Sequence, residues 1–148
     1  MSKQQEKPAE PCPVARSLDL VGDRWSILLV RDAFDGTRRF SDFQRGLGVA
    51  RSILADRLRK LVDHGIFEIK PASDGTSYQE YVLTPRGEQL FPVVLALRQW
   101  GEQYLFDAGE AHSRLVETSS GQALRLMQPT AADGRVICAG ETEVRKVR

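Results

Sequence analysis

The sequence has little that would serve catalysis or covalent cross-linking. Its 148 residues include only two cysteines and two histidines. Cys12 and Cys138 form no CxxC pair, and with only His64 and His112 to join them they share no metal-ligand spacing, so neither a disulfide framework nor a zinc site is expected. No Ser-His-Asp arrangement, phosphate loop or clustered carboxylate pair is present, which argues against an enzyme and against a cofactor. No run approaches the roughly 18 apolar residues that cross a bilayer. The opening MSKQQEKPAEP lacks the apolar stretch of a secretion signal, so the expected location is the cytoplasm. A strong overall charge is missing too, the formal net being +1. That near-neutrality is an average. Residues 36–64 hold seven Arg or Lys against three Asp, a local surplus of +4, while residues 1–35 sum to −1 and residues 65–148 to −2. A surplus confined to one segment is the footprint expected of a polyanion-binding surface inside an otherwise neutral protein.

What is there is a succession of short periodic elements. A hydrophobic content of 41% over this length supports one compact domain with additions. Residues 1–11, rich in Gln, Glu, Lys and Pro, read as a disordered arm. A first helix is expected from Pro13, with Val14, Leu18 and Val21 inward, ending at Gly22. Asp23 reads as the N-cap of a second helix that carries Trp25, Leu28, Leu29 and Phe34 at helical spacing. Ser41 and Gln44 stand at capping-box spacing and predict a short third helix, with Phe43 and Leu47 inward and breaks at Gly46 and Gly48. A fourth helix over about residues 50–64 places Leu54, Leu58 and Leu61 on one stripe and ends at Gly65.

After Gly65 the period changes from 3.6 to 2. "IFEIKP" and "YQEYVLT" predict two strands joined through Asp74-Gly75. Thr84-Pro85 then opens a long helix to about Asp107, kinked by Pro92. That helix carries Leu90, Phe91, Val94, Leu97, Trp100, Tyr104 and Leu105, more apolar surface than one small domain covers, and a second subunit is the simplest cover. Residues 109–148 alternate in short bursts broken by Gly, Pro and Asp-Gly, which predicts a small β-rich appendage of three or four strands. The expected fold class is mainly α with small β: a winged helix-turn-helix over residues 12–108, with a long C-terminal dimerisation helix, followed by that appendage.

Specific residues extend the likeness. "CPVARSLDLVGDRWSILLVRDAFDGTRRFSDFQRGL", "ILADRLRKLVDHGIF" and "YVLTPRGEQLFPVVLALRQWG" together resemble the HxlR-type branch of the MarR-like bacterial transcription regulators over about residues 12–105. The Cys-Pro start, Gly-x-[KR]-Trp, Arg-Phe-x-[DE]-[LF], Leu-x-x-Arg-Leu-[KR]-x-Leu, Gly-[IL] and Leu-Thr-Pro-x-Gly patterns occur in order. The resemblance implies a homodimer that binds double-stranded DNA, joined through terminal helices and open to a small-molecule effector. It also implies a possible sensor role for Cys12, since a cysteine there reacts with oxidants in some relatives; on its own residues Cys12 reads rather as an inert thiol. The family usually has Ser or Thr where Ala50 stands and Arg or Lys in the wing, where "ASDGTSYQ" has neither. The appendage of longer members often carries a Cys and His ribbon motif, which "ETSSGQ" replaces here.

With the leucines of the fourth helix inward, a 100° step per residue turns Ser52, Asp56, Arg59 and Asp63 outward, with Ala55 beside them and Arg51 on the first turn. Arg51, Ser52, Ala55, Asp56 and Arg59 are therefore candidate base readers. Arg38, Arg39, Arg45 and Lys60 are candidate phosphate contacts, and Lys70, Ser73, Thr76 and Ser77 candidate wing contacts. The same helix has a second reading as a solvated face, because Asp56 with Lys60 and Arg59 with Asp63 stand at i, i+4 and could pair internally. A winged-helix module that has lost DNA and binds a protein or small molecule is the corresponding alternative function.

Overall fold

The structure is a computed structural model that describes residues 11–147. Except for Pro11, the expected N-terminal arm lies outside the described residues. The element order is α1 (Pro13–Val21), α2 (Ser26–Phe34), α3 (Phe40–Leu47), α4 (Arg51–Asp63), β1 (Phe67–Pro71), β2 (Gln79–Leu83), α5 (Pro85–Glu88) and α6 (Phe91–Tyr104), with a short 3₁₀ turn at Ala139–Glu141. The strands form an antiparallel hairpin in which Phe67 faces Leu83, Ile69 faces Tyr81 and Pro71 faces Gln79. The chain divides into two compact units, one ending at Phe91 and one beginning at Pro92. The first is a winged helix.

Its core follows from the apolar stripes. Leu29 and Val30 of α2, Phe43 of α3, Leu54, Leu58 and Leu61 of α4, and Ile66 and Phe67 at the hairpin base are all buried. The rings of Phe43 and Phe67 meet edge to face at 6.1 Å, which joins α3 to β1. Gly48 ends α3 in the left-handed region at φ 62°, a conformation that L side chains rarely adopt, and so allows the tight turn into α4. Asp23, expected as the N-cap of the second helix, stands two residues ahead of the cap position: α2 starts at Ser26, with Trp25 as its cap residue and no side-chain cap bond. Asp23 Oδ2 instead accepts the N–H groups of Trp25 at 2.9 Å and Ser26 at 3.1 Å, which holds the turn that leads into the helix. The Thr84 hydroxyl accepts the Gly87 N–H at 3.0 Å and caps α5. A Cβ at Gly87 would stand 2.2 Å from the Ile66 carbonyl oxygen, so only glycine lets the first turn of α5 lie on the hairpin base.

Several expectations are corrected. Val14 and Leu18 are exposed on α1 rather than inward. Ser41 is not an N-cap: α3 starts one residue before it, after Arg39, which makes no side-chain cap bond, and Gly46 stays within the helix. The long helix is two helices. Pro92 has no N–H to give to the carbonyl four residues back, so α5 stops and α6 restarts with the proline in its first turn, where that donor is not needed.

In the second unit, Leu95 is the buried residue of α6. The predicted appendage strands reduce to two isolated bridges, Val116 with Ala123 and Thr130 with Val136, because each apolar burst is too short for a ladder and has no second layer to bury it. Side chains of α6 hold this segment instead. Gln99 donates to the Arg125 carbonyl at 3.0 Å and accepts the Met127 N–H at 2.8 Å, while Arg98 donates to the Ser113 carbonyl and hydroxyl, both at 3.0 Å.

Candidate nucleic-acid interface

The outward face of α4 is the one the apolar stripe leaves over. Arg51, Ser52, Ala55 and Arg59 are exposed, and Asp56 is half-buried among arginines. The i, i+4 pairs that the sequence allows, Asp56 with Lys60 and Arg59 with Asp63, do not form. Asp56 instead accepts from Arg59 at 2.9 Å and from Arg57 at 2.6 Å, and Arg57 also reaches Asp23 at 3.0 Å, tying α4 to the start of α2. Lys60 donates to the Asp19 carbonyl at 2.6 Å, so its ammonium sits at the C-terminal end of α1, where the carbonyl dipoles favour a cation. Ala50 offers the α4 N-terminus no side-chain cap, as its identity implies.

Arg51 is different. Of the seven cations in residues 36–64 it alone has no hydrogen-bonded or ionic partner among the described residues. Its guanidinium lies over the Phe40 ring, 5.2 Å from the centroid, which orients the side chain without using its donors.

Around α3 and the hairpin turn the remaining cations are paired. Arg45 bonds Asp42 within α3, and Lys70 pairs with Glu68 at 3.1 Å on β1. Arg39 bonds Asp74 at the tip of the turn and lies 4.9 Å from the centroid of the exposed Tyr78 ring. Arg38 reaches Glu80 at 3.3 Å, and its carbonyl accepts the Tyr81 N–H at 2.7 Å. Ser73 gives both its N–H and its hydroxyl to Glu80, and the Thr76 N–H bonds Asp74 at 3.0 Å. Ser77 is exposed. Sequence reasoning missed Glu80 and Tyr78. The signal for Glu80 was present, because a charged residue on the same side of β2 as Val82 requires partners.

Three carboxyls feel these arrangements. Partial burial opposes ionisation of Asp23, but the Ser26 hydroxyl, the Trp25 and Ser26 N–H groups and Arg57 outweigh it and hold its carboxyl below the usual range. The Thr76 N–H does the same for Asp74, and the Ser73 N–H for Glu80. A carboxyl depressed in the folded state stabilises the fold above its unfolded pKa of about 4, and that contribution is lost as pH falls through the folded value. The melting temperature should therefore fall below about pH 4, and Asp23→Asn should flatten that acid limb. Thermal melts of both proteins across the acid range test this; superimposable acid limbs would remove Asp23 as a contributor.

The first unit thus joins a short α3–α4 turn, an exposed helix face with an unpaired arginine, and a hairpin braced against the loop before α3. The model of the HxlR-like helix-turn-helix family matches residues 20–108. The chain belongs to that HxlR-like family. It is a transcriptional regulator with a helix-turn-helix domain, and the family implies DNA binding. An HTH-type transcriptional regulator of Mycobacterium tuberculosis, Rv3095, is 40% identical over 128 residues, covering 84% of this chain and 74% of that protein. The crystal structure of PA1607, a candidate transcription factor, is similar at TM-score 0.87 and 52% identity over 93% of this chain and 96% of that one. The redox regulator HypR matches at TM-score 0.56 and 33% identity over 62% of this chain and 92% of that one.

In this HxlR-like chain Cys12 is half-buried ahead of α1 and Cys138 is exposed. Among the described residues no group of three His, Cys, Asp or Glu side chains is placed to hold a metal ion, and no helix is long and apolar enough to cross a membrane. On α6, Val93, Leu97, Trp100 and Tyr104 are 44%, 55%, 57% and 63% exposed. Their spacing of 4, 3 and 4 residues makes one stripe along the helix. Leu105 is exposed as well, whereas Val94 and Leu90 are half-buried. Phe91, expected at a subunit contact, packs its ring edge to face on Phe34 at 5.3 Å.

Proposed function

We propose that this regulator binds duplex DNA as a homodimer and places α4 in the major groove. Residues 12–108 carry the function in this reading, and residues 109–148 are an addition to it. The observation that carries it is Arg51: an exposed guanidinium on the first turn of α4, stacked on Phe40 and free to give two parallel hydrogen bonds to a guanine edge. Ser52, Ala55 and Arg59 flank it, with Asp56 holding Arg59. Arg38, Arg39 and Arg45 are assigned to phosphates, with Ser73, Thr76 and Ser77 of the wing. Lys60 and Lys70, engaged elsewhere in the fold, are secondary.

The internal ion pairs favour the alternative of an interaction module, so their strength matters. Exposed pairs such as Arg45 with Asp42 are worth about 0–1 kcal/mol. A phosphate array, whose neutralisation releases counterions, competes well with pairs of that strength. With a two-fold axis, two α4 helices would enter the groove about 34 Å apart, and the operator would be an inverted repeat.

Arg51→Ala should weaken operator binding by roughly 1–3 kcal/mol and relax preference at one position per half-site. Arg45→Ala should weaken all duplexes alike and lower the salt slope by about one. Genomic fragments captured by the protein supply the operator, and fluorescence anisotropy at two salt concentrations reads both effects. Wild-type protein with no salt-dependent affinity for duplex DNA would move the assignment to the interaction module.

A further inference from the structure

We propose that Glu80 is a positioning residue for duplex binding, its carboxylate setting both the wing turn and the Arg38 guanidinium. The proposal rests on the duplex-binding reading above.

Glu80 is only 5% exposed, although it stands on a two-stranded hairpin at the surface of the domain. Its two oxygens serve two different elements. Oε1 accepts the Ser73 N–H at 3.2 Å and the Ser73 hydroxyl at 3.0 Å. Oε2 accepts from Arg38 at 3.3 Å. The first pair of bonds completes the hairpin. The strand pairing ends at Pro71 with Gln79, and Ala72 still donates to the Tyr78 carbonyl at 3.0 Å, but the turn then leaves the Ser73 N–H without a main-chain partner among the described residues. The carboxylate takes that place and fixes the direction in which the turn leaves the sheet.

The Arg38 bond reaches the loop that leads into α3. Arg38 is gripped at both ends by successive residues of β2: Tyr81 donates to its carbonyl at 2.7 Å, and Glu80 holds its guanidinium. Arg39, next in sequence, bonds Asp74 within the turn itself. The wing and the loop before α3 are thus joined by two adjacent acid-base pairs. The Asp74 pair is exposed at the tip, whereas the Glu80 pair is anchored in a buried carboxylate. A cation already held in one geometry loses less freedom when it meets a phosphate, so this brace raises affinity even though Glu80 itself is negative.

The sign of the effect separates this role from simple electrostatics. Removing an acid near a polyanion ordinarily raises affinity. If Glu80 positions the wing and Arg38, Glu80→Gln lowers it instead. The probe is a fluorescein-labelled mixed-sequence duplex titrated with the full chain by anisotropy at several salt concentrations. Glu80→Gln and Glu80→Asp, the latter one methylene too short to reach both partners, should each bind about tenfold more weakly and reduce the salt slope by about one phosphate contact. Arg38→Ala should lose a similar amount. Combined with Glu80→Gln it should lose little more, because both changes remove the same contact. Hydrogen exchange at Ser73 and its neighbours should accelerate in Glu80→Gln while urea denaturation shows the domain still folded. Unchanged or tighter duplex binding by Glu80→Gln, or additive losses in the double variant, would overturn the proposal. A wild-type protein that fails to bind the probe at any salt would instead overturn the duplex-binding reading, and exchange at Ser73 would still report whether the brace exists.

Discussion

Replacing Trp100 by Glu is expected to leave the protein monomeric at micromolar concentration and to cut operator affinity more than ~100-fold, the gain that joining two half-sites supplies. Val93, Leu97, Trp100 and Tyr104 run along one side of α6 and stay exposed in the single chain, with the Trp100 and Tyr104 rings 5.5 Å apart. A stripe of this spacing has the pattern that the seam of a helix pair requires, and a stable pair would bury more than ~1,200 Å² in total. Two-fold symmetry would place the new carboxylate in the interface twice, and each uncompensated charge costs several kcal/mol to desolvate. Light scattering on wild-type and variant protein reads the oligomeric state, and anisotropy on the operator reads the affinity. A monomeric wild type, or a Trp100→Glu variant that remains dimeric with full affinity, would reject the α6 stripe as the subunit contact.

The second large effect concerns the fold. Phe43→Ala should destabilise the winged unit by about 3–5 kcal/mol, the range for deleting a fully buried aromatic side chain. Phe43 is completely buried, and its ring is the edge-to-face partner of Phe67, so the truncation removes the contact between α3 and the first strand of the hairpin. Urea denaturation at a fixed protein concentration measures the loss, the concentration being held because association would stabilise the folded state. Phe43→Leu, which keeps most of the volume, should cost clearly less. A loss below about 1 kcal/mol for Phe43→Ala would mean that α3 is held chiefly by other contacts.

Much of this architecture was legible in the chain because its signals are local. The leucine stripe of α4, the Asp74-Gly75 turn and the Thr84 cap each act within a few residues of themselves, and all three stand where the pattern puts them. The spaced motifs that mark the HxlR-like family are legible in the same way, and for two of their residues the fold supplies the physical reason. Gly87 of the Leu-Thr-Pro-x-Gly motif is required by the Ile66 carbonyl, and Arg57 of the Leu-x-x-Arg-Leu motif reaches back to Asp23. Where local signals compete, the fold departs from the pattern. Ser41 had the spacing of a capping box, but Phe40 entered the helix ahead of it. Pro92 suggested a kink, but the missing N–H fell where one helix could end and another begin.

The candidate interface divides along the same line. Composition alone located the cationic segment, and the leucine period alone turned Arg51, Ser52, Ala55 and Arg59 outward. Which cations are engaged depends on contacts between residues far apart in the chain: Arg38 with Glu80, Arg39 with Asp74, Arg57 with Asp23 and Lys60 with Asp19. No periodicity encodes those pairs, because each arises only when the loop before α3, the hairpin turn and the ends of α1 and α2 are brought beside one another. The sequence by itself therefore determined the winged helix and the face that carries its charge. Tertiary structure alone decided that Glu80 braces the wing, that Val14 and Leu18 point outward, and that Arg51 remains without an ionic partner among the described residues. The physical reason is range: helix and turn preferences are settled over a few residues, whereas the pairing of a charge is settled by whatever the fold places next to it.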